Sequence, residues 1–406
     1  MRVLLVNAFE KIPGEAFRDQ RYTFLYEILK KNCDVRWLSS DFHHWSHRRR
    51  DRQILPPEDQ DNVVLIRTLA YSKNVSLRRF ISYLALSLAT IKQITQLPWR
   101  PDVIVCMGPV EQMFIVVLYG RMRGVPVVID VIDTWPDLYL QAFPRRLRWL
   151  GQLVLAPYLL LSYCTFAWAS HVSAVSKTYV SWAMARGRRT DIEQFRCFPL
   201  GCRNQDFDSD AISDARPPIR CLFAGQFGHS YDIELIIEAA TRLAAAGRTD
   251  IEFVLCGDGD KRAEIQRRAQ NLPNVRLLGW LSPLQLNKLA ADCHIGLCCY
   301  GAAATQSVPT KIFDYLSMGL FVISSLPREA ELLLEKHEAG VSYRAGSVDS
   351  FLQCLDSVVA SVDLSGKARR RIRHEFEAHF ASNVIYEEMI HDFIMPVANQ
   401  GIRTSR

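Results

Sequence analysis

Short apolar runs alternate along this chain with stretches whose apolar positions recur at helical spacing. Residues 3–6 form an unbroken apolar run, residues 21–31 an amphipathic stretch and residues 35–38 a second strand-like run. Strand, helix, strand is the unit from which parallel sheets are built. The pattern resumes at 103–107, bracketed by Pro101-Asp102 and Gly108-Pro109, and again at 125–131; both are short and bounded like buried strands. From residue 199 to 218 the character turns polar and acidic, ending in Pro217-Pro218, which reads as an interdomain linker. Beyond it a second alternating series places strands at 219–224, 251–256, 275–278, 295–299 and 320–324, with helix-like runs between them. No short repeat accounts for the alternation. The spacing predicts an α/β protein with a first domain over 1–203, a linker over 204–218, a second domain over 219–380 and a C-terminal helix and tail over 381–406.

Length agrees with this division, since 406 residues at roughly 100–200 per domain make about two domains. With 49% hydrophobic and 23% charged residues, the composition is that of a globular enzyme and excludes a largely disordered chain. The net charge of +6 is gathered in patches at 48–50 with Arg52, at Arg145, Arg146 and Arg148, and at Lys367 with 369–371. Such patches suit anionic lipid or phosphate, and a solvated face is the ordinary alternative for each. No helix-turn-helix, zinc-finger or RNA-binding signature stands beside them, so nucleic acid is not an expected partner. Eleven cysteines without a Cys-x-x-Cys pair, most of them inside apolar runs, read as reduced core residues. The first residues lack the basic, apolar, small-residue order of a signal peptide, which makes the expected location cytoplasmic.

One stretch departs from soluble habit. Residues 149–170 carry no charge and follow directly on the basic patch at 145–148. Their length is enough to span a bilayer, but Pro157, Ser162, Cys164 and Thr165 dilute the run. A buried helix and a helix lying on the inner face of the plasma membrane both fit, and a crossing helix fits less well. The helix expected at 80–94, together with Ser181-Trp182, would extend such a surface.

The segment 306–319 carries the most specific chemistry. Proline near its start and glycine at its end mark a helix of about ten residues, followed by an apolar strand. The helix N-terminus offers free N–H groups and the positive end of the dipole, and Lys311 in the first turn adds a full charge for a diphosphate. Lys311 and Asp314 are three apart and share a face, so a phosphate ligand and an acceptor for a hydroxyl serve one extended molecule. A capped amphipathic helix with a surface ion pair is the alternative that this segment alone leaves open.

The run VPTKIFDYLSMGLFVISS resembles the donor-binding helix of retaining glycosyltransferases of family 4. Three further segments agree with that family in order and spacing. Residues 223–228 resemble its glycine turn opening the second domain, 254–260 its next strand-to-glycine turn, and 274–280 the strand beside the nucleotide base. In the first half Pro13-Gly14 with Arg18 resembles the glycine loop after the first strand, and 173–176 the strand and serine that close the domain. Residues 130–137, with Asp133, Trp135 and Pro136, and the loop from Ser40 to His44 with the arginines at 48–50 resemble members that build bacterial surface polysaccharides.

The resemblance implies a GT-B fold: two Rossmann-like domains facing across a cleft, with the C-terminal helix crossing back to the first. It implies a hexosyltransferase that takes a UDP- or GDP-sugar and a lipid-linked or saccharide acceptor, retains configuration, and uses no cofactor and no metal. Carried onto this sequence, the donor would be held by Gly14, Gly225, Gln226, Gly257, Leu278, Ser307, Val308, Lys311 and Asp314, with Asp133, Gln306 and Lys311 nearest the chemistry. Two departures stand out. The family's paired glutamates, eight residues apart, are here Gln306 and Asp314, and its arginine and lysine after the first glycine turn are replaced by Gln226, His229 and Ser230. Diphosphate charge would then rest on Lys311, the helix end and the N–H groups of Ser307 and Val308. An inactive nucleotide-sugar-binding subunit and a sugar-nucleotide epimerase are the alternative functions. Asp258-Gly259-Asp260 reads as a turn more readily than as a metal site. His43, His44 and His47 lack a fourth metal ligand at suitable spacing, and Ser176 has no evident triad partners.

Overall fold

Apolar runs without polar alternation must be covered on both faces. The computed structural model describes residues 1–15, 20–44, 46–72, 76–140, 143–203 and 206–404, and meets this requirement with two separate parallel sheets. The chain divides into two units, Met1–Pro199 with Ile385–Arg406, and Leu200–Val384.

In the first unit the strands are β1 (Arg2–Asn7), β2 (Asp34–Ser40), the hairpin strands β3 (Phe42–His43) and β4 (Arg48–Arg49), β5 (Val63–Ile66), β6 (Val103–Met107), β7 (Val127–Val131), β8 (His171–Ala174) and β9 (Phe195–Cys197). All but the β3–β4 hairpin join one sheet in the order β5-β2-β1-β6-β7-β8-β9, every neighbour parallel. Order reverses between β1 and β6, and in such sheets the crevice beyond the carboxyl ends at this switch point is where ligands bind. The strand expected from residue 125 begins at Val127. Gly124 caps the preceding helix in a left-handed conformation, the Val125 N–H is spent on the Gly120 carbonyl at 2.8 Å, and Pro126 has no N–H to give the ladder.

A buried ion pair ties this unit together. Arg21 opens the helix Arg21–Leu29, and its guanidinium meets Asp130 of β7 through Nε (2.7 Å) and Nη2 (3.0 Å), with neither side chain exposed. Ser173 of β8 donates to the same carboxylate at 2.7 Å, and Arg21 Nη1 donates to the Phe198 carbonyl at 2.9 Å. From the C-terminal segment, the Met389 sulfur accepts from Arg21 at 3.2 Å and the Tyr386 ring lies 5.4 Å from the guanidinium. From Ile385 the chain thus returns to the first unit, through a helix Ser382–Met389, a wider turn Ile390–Ile394 and a helix Met395–Thr404. Glu10, just after β1, accepts from the Tyr22 N–H at 2.6 Å and so caps the helix whose preceding residue, Gln20, supplies no side-chain cap; burial pushes its carboxyl up to about 8.

The second unit contains β10 (Ile219–Ala224), β11 (Ile251–Cys256), β12 (Val275–Leu278), β13 (Ile295–Cys298), β14 (Phe321–Ser324) and β15 (Gly340–Ser342). They form a parallel sheet in the order β12-β11-β10-β13-β14-β15, reversing between β10 and β13. The stretch read as a linker belongs to this unit. Ser213 donates from N and Oγ to the Ala291 carbonyl, both at 3.2 Å, and Asp214 accepts from the Gly366 N–H at 3.1 Å. Polar composition there reflects these side-chain and backbone bonds at the foot of the sheet.

Replacing Arg21 by Met leaves the Asp130 charge buried without its cation, and should cost about 3–5 kcal/mol of stability. Urea unfolding of Arg21→Met against wild type measures this, and a loss below about 1 kcal/mol would show that the pair does not hold the unit together.

Candidate functional site

Three glycine turns at the carboxyl ends of β10, β11 and β12 interlock. The Gly225 N–H donates to the Cys256 carbonyl at 2.9 Å, Phe227 N–H to the Asp258 carbonyl at 2.8 Å, and Gly257 N–H to the Gly279 carbonyl at 3.1 Å. Gly225 and Gly257 both have φ of 151°, which side chains avoid. At Gly257 space adds to the demand, because a Cβ would lie 1.8 Å from the Gly225 carbonyl oxygen. The motifs 223–228, 254–260 and 274–280 are therefore one structure, laced edge to edge. Gln226 is exposed on the first turn, and Leu278, half-buried at the end of β12, turns its carbonyl toward the Gly257 N–H.

Beside these turns, the helix Thr310–Ser317 runs from the switch point, two residues shorter than the ten expected. Pro309 precedes it and supplies no side-chain cap, so the orphan N–H groups of the first turn meet no capping side chain. Lys311 is only 7% exposed and points inward. Its ammonium donates to the Ala224 carbonyl and lies 4.3 Å from the centre of the Phe223 ring and 4.6 Å from that of Tyr231. A Cβ on Gly225 would come within 2.5 Å of Nζ, so the bare Cα of that glycine is the wall against which the charge sits. Burial lowers the Lys311 ammonium to about 8, opposed by the neighbouring Cys298 and Asp314. Asp314, one turn on, is half-buried.

Tyr315 organises the switch point itself. The sheet bonds pair β10 with β13 only at Cys221↔Ile295 and Leu222↔Gly296. Beyond that the strands part, and the Tyr315 hydroxyl fills the gap, accepting from the Ala224 N–H at 3.0 Å and donating to the Leu297 carbonyl at 3.1 Å. Its ring rests on Gly296, where a Cβ would fall 2.5 Å from the ring. Neither Tyr315 nor Tyr231 was legible as a site residue. Tyr315 reads in the sequence as one more apolar position of an amphipathic helix, and Tyr231 as part of a loop.

Before the helix, Gln306 is exposed and its amide oxygen accepts from the Thr305 N–H at 3.2 Å. Ser307 donates to Glu329 at 3.0 Å, and Val308 is buried. Glu329 opens the helix Glu329–Lys336 after β14, and sequence reasoning missed it because nothing marks that loop as lying beside residue 307.

In the first unit, Gly14 has φ of 87°, and its Cα lies where a Cβ would meet the Ile54 carbonyl at 2.0 Å. Arg18, paired with it in the sequence argument, lies outside the described residues. Asp133 follows β7 and is exposed as a residue, while desolvation by the protein around it raises the carboxyl above its ordinary value, against a bond from Trp135. The histidines after β2 are engaged within the protein. His43 Nδ1 accepts from the Ser46 N–H at 3.1 Å, and His44 Nδ1 lies 2.6 Å from the Tyr71 hydroxyl, burial lowering its imidazole to about 4.

Compared with known proteins, residues 218–361 match the family model described as Glycosyl transferases group 1. The fold is GT-B. Anabaena HepE in complex with UDP superposes with a TM-score of 0.67 at 14% identity, covering 97% of this chain and 100% of that one. The lipopolysaccharide outer core galactosyltransferase WaaB in its apo form gives 0.63 at 15% identity over 100% of both chains. Sucrose-phosphate synthase from Thermosynechococcus elongatus gives 0.67 at 14% identity over 98% of this chain and 99% of that one. No curated protein matches the sequence. The family match begins at the foot of β10 and takes in all three glycine turns and the Lys311 helix of the GT-B fold's second unit.

Two outcomes follow from this geometry. Gly257→Ala forces a side chain against the Gly225 carbonyl and should lower stability by about 1–3 kcal/mol, whereas Gly279→Ala, whose Cβ meets nothing closer than 3.5 Å, should change it by less than about 0.5 kcal/mol. Equal effects in denaturant titration would contradict the interlocked turns. Lys311 keeps its proton less tightly folded, at about 8, than unfolded, near 10.5, so at this residue the unfolded chain binds more protons between those values, and the lysine's own contribution to stability should grow as pH rises across them. Lys311→Met should lack that gain, which unfolding curves of both proteins at pH 8 and pH 10 would reveal.

Proposed function

We propose that this protein is a glycosyltransferase that takes a hexose from a UDP- or GDP-sugar and passes it to a lipid-linked or saccharide acceptor of a bacterial surface polysaccharide, with retention of configuration and without a resident cofactor or metal. The observation that carries the reading is the Lys311 ammonium, held beneath the bare Cα of Gly225 at the switch point of the second sheet. A buried cation whose hydrogen bond goes to a neutral carbonyl keeps its field for a ligand, and a diphosphate is the ligand that such a field and an uncapped helix end attract. The family match over 218–361 supports the reaction type, the HepE complex with UDP the nucleotide, and WaaB the polysaccharide setting.

In this reading the diphosphate lies on the Gly225 turn and the N–H groups of Ser307 and Val308, with Gln226 beside it. Asp314 accepts from the ribose diol, and Leu278 and the Gly257 turn border the base. Gln306 bonds a hydroxyl of the donor sugar, while Gly14 is the first unit's donor-binding residue and Asp133 its residue nearest the chemistry. As the bond from the sugar C1 to the diphosphate oxygen breaks, Lys311 and the helix end stabilise the growing negative charge. The acceptor oxygen bonds C1 from the same face, and its proton leaves on the departing diphosphate.

A second reading, a nucleotide-sugar-binding subunit without turnover, is favoured by one observation. Gln306 stands where the family places a carboxylate, and its amide is exposed and bonded to the Thr305 N–H.

Thermal stabilisation by a panel of UDP- and GDP-sugars, followed by transfer to membrane lipid extracts, tests both. Lys311→Ala should weaken nucleotide binding at least about tenfold, and wild-type affinity should decline as pH rises through about 8, where the ammonium loses its proton. An unchanged affinity in Lys311→Ala removes the phosphate role. Binding without transfer from any donor selects the second reading.

A further inference from the structure

The helix Leu77–Thr95 of the first unit is folded inside out. Its buried face carries Arg79, Ser82, Ser87 and Thr90 beside Tyr83, Leu86 and Ile94. The polar groups on that face are served within the protein: Ser82 Oγ donates to the Leu69 carbonyl at 2.7 Å, Thr90 accepts from Gln112 at 2.9 Å, and Arg79 Nε donates to the Tyr83 hydroxyl at 2.6 Å. The opposite face shows Leu77, Ile81, Leu84 and Leu88, at 4-3-4 spacing, which are 76%, 50%, 56% and 58% exposed. Scattered exposed leucines are ordinary, but four on one helical stripe with the polar residues turned inward are not.

The helices Arg148–Val154 and Ala156–Trp168 repeat the inversion. Ser162, Thr165 and Phe166 are buried, while Trp149, Leu153, Val154 and Leu160 are each at least 60% exposed. The two inverted surfaces adjoin, since Phe80 of the first helix meets Tyr158 of the third at 5.7 Å, and both helices pack on the helix Val110–Arg123 between them. Charge around them has one sign. Residues 62–101 hold six Lys or Arg and residues 138–190 hold seven, with no Asp or Glu in either stretch. Of the carboxylates beside them, Glu111 accepts from the Tyr158 hydroxyl at 2.6 Å and Asp137 is paired with Arg186.

From these observations we infer that the stripe Leu77, Ile81, Leu84 and Leu88, with the exposed apolar side chains of 149–160, seats the protein on a lipid surface rich in anionic phospholipid. Apolar side chains enter the boundary between headgroups and acyl chains while the surrounding arginines and lysines meet phosphate, the combination by which helices lie in a membrane interface. A second copy of this chain is disfavoured as the occupant because it would set basic surface against basic surface. Crossing is disfavoured as well. Among the described residues no single helix is long and apolar enough to span a membrane, and the pair Arg148–Val154 and Ala156–Trp168 bends by 70°. The inference stands on the first unit and does not depend on the reaction proposed above.

Co-sedimentation of the full-length protein with phosphatidylcholine vesicles, with and without phosphatidylglycerol, tests it. The wild type should bind the phosphatidylglycerol vesicles, more weakly as salt rises. The combined variant Leu77→Ser, Ile81→Ser, Leu84→Ser, Leu88→Ser should lose about tenfold or more in partitioning, since its apolar area no longer enters the lipid. Because these side chains face outward, the variant should melt at the wild-type temperature. If it does not, Arg146→Glu with Arg148→Glu replaces it and should lose binding in the same assay. Failure of the wild type to bind phosphatidylglycerol vesicles, or binding retained by the folded variant, overturns the inference. So does a wild-type dimer in light scattering that the leucine variant dissolves.

Discussion

A lysine ammonium buried under a glycine is the constraint around which the second unit is arranged. An enclosed cation must find acceptors or aromatic faces to replace water. Lys311 finds the Ala224 carbonyl and the faces of Phe223 and Tyr231, which places all three at the end of β10. Its helix then brings Tyr315 into the gap between β10 and β13, and the ring needs a glycine at 296 to lie against. The turn at 225 can carry no side chain, and the turn at 257 must be glycine because it packs on the carbonyl of 225. One buried charge thus dictates two glycines and an aromatic cluster, and the carbonyl of Gly225 dictates a third glycine in the neighbouring turn.

The first unit also buries a cation beside its sheet, with a different outcome. Arg21 is neutralised by Asp130 in a two-point pair and its remaining donors reach the Phe198 carbonyl and the Met389 sulfur. A guanidinium satisfied in that way is a structural tie, and here it joins the β7 and β8 strands to the C-terminal return. Burial lowers the proton affinity of both cations, but Asp130 outweighs it at Arg21, whereas Lys311 bonds a neutral carbonyl and stays lowered. The contrast separates a cation neutralised by a carboxylate from one whose ammonium bonds a carbonyl against aromatic faces.

The inverted helices of the first unit follow from the same accounting of polar groups. Serine and threonine hydroxyls can sit inside a helical layer when they bond a backbone carbonyl, as Ser87 does to Tyr83 at 2.7 Å and Thr165 to Leu161 at 2.8 Å. With polar residues on its inward face, each helix retains leucines that its own unit does not cover.

The sequence by itself determined the class of fold and the chemical character of the segment 306–319. Strand-like runs at 219–224, 251–256 and 275–278 became strands with those bounds, each apolar but for one charged residue at its second position, Arg220, Glu252 and Arg276. Glycines at 225, 257 and 319, with Lys311 in a first helical turn, were readable because the backbone demands them locally. Tertiary structure alone decided where the charge of Lys311 goes, since Ala224 and Tyr231 are distant along the chain and nothing in their neighbourhood announces an acceptor or an aromatic wall. It decided the partner of Ser307, which is Glu329 from the far side of β14. It decided that residues 206–218 belong to the second unit, because the bonds from Ser213 and Asp214 reach residues 78 and 152 positions away. It also decided which side of the helix Leu77–Thr95 faces out, for the 3.6-residue period marks an apolar stripe without saying whether the protein or something outside it will cover that stripe.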